Sequence, residues 1–131
     1  MRTILTLPPA WAPVARTDER AIWHAGSLMI EIAPLVRRPR DPTALVPRGG
    51  TRGPILNRAT ATGWPYELLA IDDRDTQRLV AVYDFHGDLG VVVITGPAAE
   101  LAARTPELRA ILDSAMPDWR GPIVALAQLW A

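Results

Sequence analysis

Few residues in this chain have the type and spacing that chemistry needs. Asp84, His86 and Asp88 stand two residues apart, so in a fully extended strand their side chains would share one face, a starting point for a metal site. Gly87 lies among them, and aspartate and histidine recur beside such glycines because they suit turns, so a turn is expected here. Asp72, Asp73 and Asp75 could offer oxygens to a hard cation, but the glycine and closing glutamate of an EF-hand loop do not follow. A solvated loop tip accounts for them. Ser27 and Ser114 are the only serines, and neither sits in a G-x-S-x-G elbow. His24 reads as a partly buried structural side chain in a short strand. There is no cysteine and all 14 basic residues are arginine, which excludes thiolate chemistry, cysteine-held metals, a Walker A loop and a Schiff-base lysine. The expectation is a chain that is not an enzyme and carries no cofactor and no metal.

What remains is arginine. Residues 37–58 hold Arg37, Arg38, Arg40, Arg48, Arg52 and Arg58 against Asp41, a local net charge of +5, while the part from 59 onward is −5 and the whole chain is neutral. Guanidinium forks suit carboxylates and phosphates, and neighbouring prolines would lower the cost of presenting them. No aromatic residue interleaves with these arginines and the chain as a whole is not basic, so an acidic protein partner ranks above RNA or DNA. An inert, solvated Pro/Arg/Gly loop ranks level with either. Five tryptophans are many for 131 residues. Trp23 reads as core, and Trp11 and Trp119 as caps on the open ends of the domain. Trp64, at a strand break, and Trp130, near the end of the sequence, join the candidate binding residues, because an exposed indole would mark a binding surface or a contact between two copies.

These side chains need a scaffold, and length and composition bound it. A chain of 131 residues buries roughly two thirds of the surface its unfolded form exposes and supports one core. Hydrophobic residues at 49% and charged residues at 21% are ordinary globular usage. Apolar runs such as residues 89–94 are strand-sized, so no membrane span is expected. Pro8, Pro9 and Pro13 interrupt the apolar N-terminus before a signal-peptide core could form, and a mature cytoplasmic protein is expected.

Period-two patterning places strands at 2–7, 21–25 and 28–32, the last two forming a hairpin about Gly26-Ser27 with Leu28, Ile30 and Ile32 on one face. Residues 36–54, with four prolines, three glycines and five arginines, read as a long loop. A strand over 55–62 leads to a break at Gly63-Trp64-Pro65, followed by a strand at 66–71 and a charged turn at 72–75. Residues 78–85 and 89–95 are nearly continuous apolar, β-branched runs, which predicts central strands covered on both faces. Residues 98–104 read as a short helical turn. Thr105 then suits an N-cap and Pro106 a first helical position, and Leu108, Ile111, Leu112 and Ala115 keep the spacing of one buried stripe up to Pro117. Residues 123–131 fit a helix and a strand equally.

The opening LPPAW, the hairpin, the strand reaching Thr62-Gly63-Trp64, the pair RLVAVYDF and VVVIT, and the closing helix LRAILDSA together resemble the PsbP-like α/β/α sandwich superfamily. That superfamily includes the extrinsic photosystem protein, a Ran-binding nuclear import factor and bacterial chaperones that load type VI secretion effectors. The chain departs from it in lacking an obvious secretion signal or lipoprotein box and in its tail beyond the helix. The resemblance implies an accessory or chaperone-like binding role rather than catalysis. The expected architecture is a single α+β domain over 1–131, an antiparallel sheet of about six to seven strands packed by a C-terminal helix, with loop 36–54 and a C-terminal extension 117–131. The expected function is protein interaction, as an adaptor or chaperone, with another protein or a second copy as partner. Two alternatives stand: binding of nucleic acid or another polyanion through the arginine loop, and a small enzyme with His24 or His86 beside a carboxylate in a concave pocket.

Overall fold

Alternating apolar positions and short turns build a sheet whose two faces are both apolar, and two short helices then close one of them. The computed structural model describes residues 2–16, 20–33, 36–37 and 49–118. In chain order the strands are β1 (Arg2–Ile4), β2 (Ala12–Arg16), β3 (Ala21–Ala25), β4 (Leu28–Ile32), β5 (Val36–Arg37), β6 (Thr51–Arg52), β7 (Leu56–Ala59), β8 (Pro65–Asp73), β9 (Thr76–Phe85) and β10 (Asp88–Pro97). Helices α1 (Ala98–Ala103) and α2 (Thr105–Asp113) and strand β11 (Met116–Asp118) follow. All pairings are antiparallel. The main sheet runs β2-β3-β4-β10-β9-β8-β6, with β5 beside β10 and β7 beside β8, and β1 pairs separately with β11.

Hairpin chemistry sets this order. Gly26 (φ 61°) and Arg74 (φ 59°) open two-residue turns, and His86 (φ 56°) with Gly87 (φ 96°) closes the β9–β10 hairpin in the left-handed conformation that matches strand twist. The long central pair β9–β10 is in register from Asp88 opposite Phe85 to Pro97 opposite Thr76. On one face Leu28, Ile30, Ala81, Tyr83, Phe85, Val92 and Ile94 meet Leu101 of α1 and Leu108, Ile111 and Leu112 of α2 in one cluster. Each of the helix leucines and isoleucines is about 2% exposed and contributes roughly 1.5–3 kcal/mol by burial. The opposite face buries Leu69, Ile71, Val80 and Val91, with Ala33, Val82 and Val93 alongside. The central strands are thus covered on both sides, as their runs of β-branched residues require.

Several expectations are corrected in detail. The main sheet has nine strands among the described residues, more than the six to seven expected. The excess comes from β2, in a segment whose prolines masked its pattern, and from β5 and β6, two-residue strands inside the segment read as loop. The first strand ends at Ile4, and the one before the Gly63 turn is confined to β7. Thr105 does not cap α2: its hydroxyl donates back to the carbonyls of Leu101 and Ala102 in the last turn of α1, and Arg104 is the cap residue. Residues 116–118, partly assigned to an extension, form β11 against β1. Trp11 is core, 5% exposed, and its indole N–H donates to Glu107 Oε1 at 3.2 Å while the Arg104 guanidinium stacks 5.3 Å from its ring. His24 is exposed because it points away from the core on β3. Trp23 is half-buried against the core.

Candidate functional site

The sheet has two edges, and the one formed by β6 and β7 carries the candidate site. Between Arg52 opposite Ile71 and Leu56 opposite Leu68, three residues face two, a bulge around Pro54 that separates β6 from β7. Beyond it Leu56–Ala59 is regular. The hairpin that follows turns at Gly63 (φ 92°), a conformation glycine adopts without strain, and there Thr60 N–H donates to Trp64 C=O at 2.8 Å. Antiparallel pairs alternate between bonded and non-bonded, so the bonded pair at Thr60–Trp64 makes Arg58–Tyr66 and Leu56–Leu68 bonded pairs as well. The N–H and C=O groups of Asn57 and Ala59 accordingly point outward, away from β8. Both residues are exposed, as are Ile55 (58%) and Leu56 (51%).

Beside this edge, between sheet and helices, lies an apolar cleft of about 300 Å³. Leu56, Leu68, Leu79, Leu101 and Leu108 line it, with Arg58 and Arg109 also on its wall and no carboxylate among the lining residues. Arg58 is held in place by a compact set of bonds: its Nε donates to the Tyr66 hydroxyl at 2.8 Å, that hydroxyl donates to Asp113 Oδ1 at 2.6 Å, and Arg58 Nη2 reaches Asp113 Oδ2 at 3.3 Å. The hydrogen bond that Arg58 donates to Tyr66, and then the neighbouring Asp113, raise the Arg58 pKa further above its ordinary value, against the opposing effect of burial. Burial first, and then the bond to Asp113, push the Tyr66 phenol up to about 12. Deeper in, the Tyr83 hydroxyl donates to the Leu112 carbonyl at 2.6 Å, and burial raises its pKa strongly. These bonds fix the C-terminus of α2 to β7 and β8 and keep the cleft's back wall in position.

The structure does not unite the arginines that the sequence singles out. Arg38, Arg40 and Arg48 lie outside the described residues, as do Trp119, Trp130 and the tail 123–131. Arg37 lies in β5, beside Asp88 of β10. Arg52 is exposed on β6 opposite Ile71, which puts it on the sheet face away from the helices, whereas Arg58 shares the helix face with Tyr66. Arg58 is therefore corrected from a presented side chain to a half-buried, paired one that shapes the cleft. Trp64 is half-buried, edge-on to Phe85 at 5.4 Å and to His86 at 4.8 Å, and serves as a lid on the end of the core. Residues that the sequence did not flag are Ile55, Leu56, Asn57 and Arg109. Their signal was Pro54 followed by a short strand with apolar residues at its start, which marks an edge.

The remaining chemistry-bearing residues are placed plainly. Asp84 accepts the Gly87 N–H at 2.9 Å, and with His86, Thr62 and Trp64 it lines an open hollow of about 470 Å³. Ser27 bonds the Glu100 carboxylate, and Ser114 donates to Ile111 C=O while accepting from Thr6 N–H. Asp72 accepts from Gln77. No cluster of three or more metal-ligating side chains occurs among the described residues, and no helix there is long and apolar enough to cross a membrane.

No sequence-family model matches the chain, and no curated protein matches it in sequence. Among solved structures it is similar to the solution structure of cyanobacterial PsbP from Synechocystis sp. PCC 6803, with a TM-score of 0.55 over 89% of this chain and 93% of that one, at 12% identity. The fold is PsbP-like. At that identity the likeness concerns architecture and not activity. In this PsbP-like frame the LPPAW segment has a definite structural job, since Trp11 bolts the N-terminal stretch to α2 through Glu107 and Arg104. The Arg104 hydrogen bond is also the main reason the Glu107 carboxyl is held below its ordinary pKa.

Proposed function

We propose that this chain is a non-catalytic protein-interaction module, an adaptor or chaperone-like accessory protein, and that it docks its partner on the β6–β7 edge and the cleft beside it. One observation carries the reading: Leu56 stands exposed on an edge strand at the mouth of an apolar cleft with two arginines and no carboxylate in its lining, and Ile55, in the bulge just before that strand, is exposed beside it. Exposed apolar groups next to a concave apolar surface with a polar rim are the usual make-up of a protein-binding site. The charge favours an acidic partner. The accessory role implied by the resemblance agrees with this.

The test is a quantitative pull-down from source cells with the natural protein and an Ile55→Asp/Leu56→Asp double variant, both confirmed folded by circular dichroism. A protein recovered by the first and lost by the second is the expected result. Recovery of nothing above background, or equal recovery by both, contradicts the proposal.

A further inference from the structure

We propose that the partner binds by adding a β-strand to β7, and that the segment it contributes carries an acidic and an apolar residue two positions apart. This rests on the interaction-module reading and specifies its mode. Asn57 and Ala59 each turn one N–H and one C=O away from the sheet, a ladder waiting for an extended chain. On an added strand, residues two apart share a face. Those on the helix side would stand opposite Leu56 and Arg58, at the mouth of the cleft. The residue beside Leu56 would pack on that exposed leucine at the mouth of the cleft and is best apolar. The residue beside Arg58 lies on the side of the cleft lined by Arg58, itself paired with Asp113, and by Arg109, and is best acidic. An antiparallel added strand reads acidic-x-apolar from its N-terminus, and a parallel one apolar-x-acidic.

A second copy of this chain is the poorer occupant. Two β7 strands paired about a two-fold axis bring the basic wall of each cleft toward the other, and each strand would present asparagine and arginine rather than a carboxylate.

Backbone geometry supplies a selective test. Proline at 57 removes an N–H that points outward, so the β7–β8 ladder survives, whereas Asn57→Ala changes the side chain and keeps the donor. Fluorescein-labelled decapeptides of alternating threonine and serine, with a central Glu-x-Leu or Leu-x-Glu, serve as probes, and a Glu-Leu peptide with the two residues adjacent is the control. Anisotropy titrations at low salt should show one of the first two bound and the control at least tenfold weaker. Asn57→Pro should weaken the bound peptide at least tenfold and Asn57→Ala less than twofold. Failure of both alternating peptides at millimolar concentration, or binding indifferent to Asn57→Pro, overturns strand addition. So does a concentration-dependent dimer of the free protein that Asn57→Pro abolishes, since the second copy is then the occupant. In the pull-down, a partner lost with Ile55→Asp/Leu56→Asp but kept with Asn57→Pro sinks strand addition while sparing the module reading.

Discussion

The two edges of the main sheet are built to opposite ends. On the β2 side, Pro13 sits in the strand and a bulge between Pro13 and Ala15 breaks its register with β3, so the outer backbone offers no regular ladder. Proline and bulges on an edge are a common defence against unwanted pairing. On the other side, Pro54 and its bulge are pushed ahead of β7, whose four residues pair regularly with β8 and of which Leu56, Asn57 and Ala59 are exposed. Sheets that avoid association blunt both edges. This sheet blunts one and leaves the other regular, with an apolar cleft beside it, and that is the contrast on which the proposed docking site rests.

The largest effect expected is a contrast between neighbours. Arg58→Pro removes a donor that serves the β7–β8 ladder and should cost about 3 kcal/mol, while Asn57→Pro, one residue away, should cost less than about 1 kcal/mol. Urea unfolding curves of the two variants check this, and equal losses would mean the outward assignment is wrong. Next comes the bolt behind the open edge. Asp113→Ala leaves the Arg58 guanidinium and the Tyr66 hydroxyl short of an acceptor in a half-buried site, and a loss of about 1–2 kcal/mol is expected, scaled down for solvent access. If thermal melts of that variant match those of the natural protein, β7 is held by the ladder and not by this cluster.

A smaller effect is tied to pH. The neutral Tyr66 phenol is favoured in the folded state, with its pKa pushed from the ordinary value of about 10 up to about 12. The folded form then holds a proton that the unfolded form releases, so this contribution is complete below pH 10 and is lost as pH rises through 12. Unfolding free energy should fall more steeply over that window in the natural protein than in Tyr66→Phe, and parallel profiles would remove the claim. Smallest of all, Pro13→Val on the β2 edge should shift stability by no more than about 0.5 kcal/mol and leave peptide binding at one site per chain, because the bulge persists. A second binding site on that variant, seen by calorimetric stoichiometry, would show that proline alone separates the two edges.

Much of this architecture was legible in residue order. The hairpin 21–32, the central pair β9–β10 and the stripe Leu108, Ile111, Leu112, Ala115 follow from period and turn chemistry, and all are present with those residues buried. The errors have physical causes. β2 escaped notice because Pro9 and Pro13 break its pattern, and Thr105 failed as a cap because α1 ends close enough for its hydroxyl to be used there. Trp11 looked like a peripheral cap, yet its indole is drawn in by Glu107, 96 residues along the chain, and by its neighbour Arg104, a contact no local pattern encodes. The candidate site was the least legible part. Arginine density drew attention to 37–58, which overlaps the proposed site, but which face Arg52 and Arg58 take depends on one bulge at Pro54, and which backbone groups point outward depends on pairing parity across β7 and β8. Neither is a property of composition.

The parity is directly observable. Amide hydrogen exchange of the free protein, read residue by residue by NMR, should find Leu56 and Arg58 protected by β8 and Asn57 and Ala59 exchanging faster by at least about a hundredfold, consistent with solvent-facing groups. Equal protection along all four residues, or slow exchange at Asn57 and Ala59, would contradict an open β7 edge and take the docking site with it.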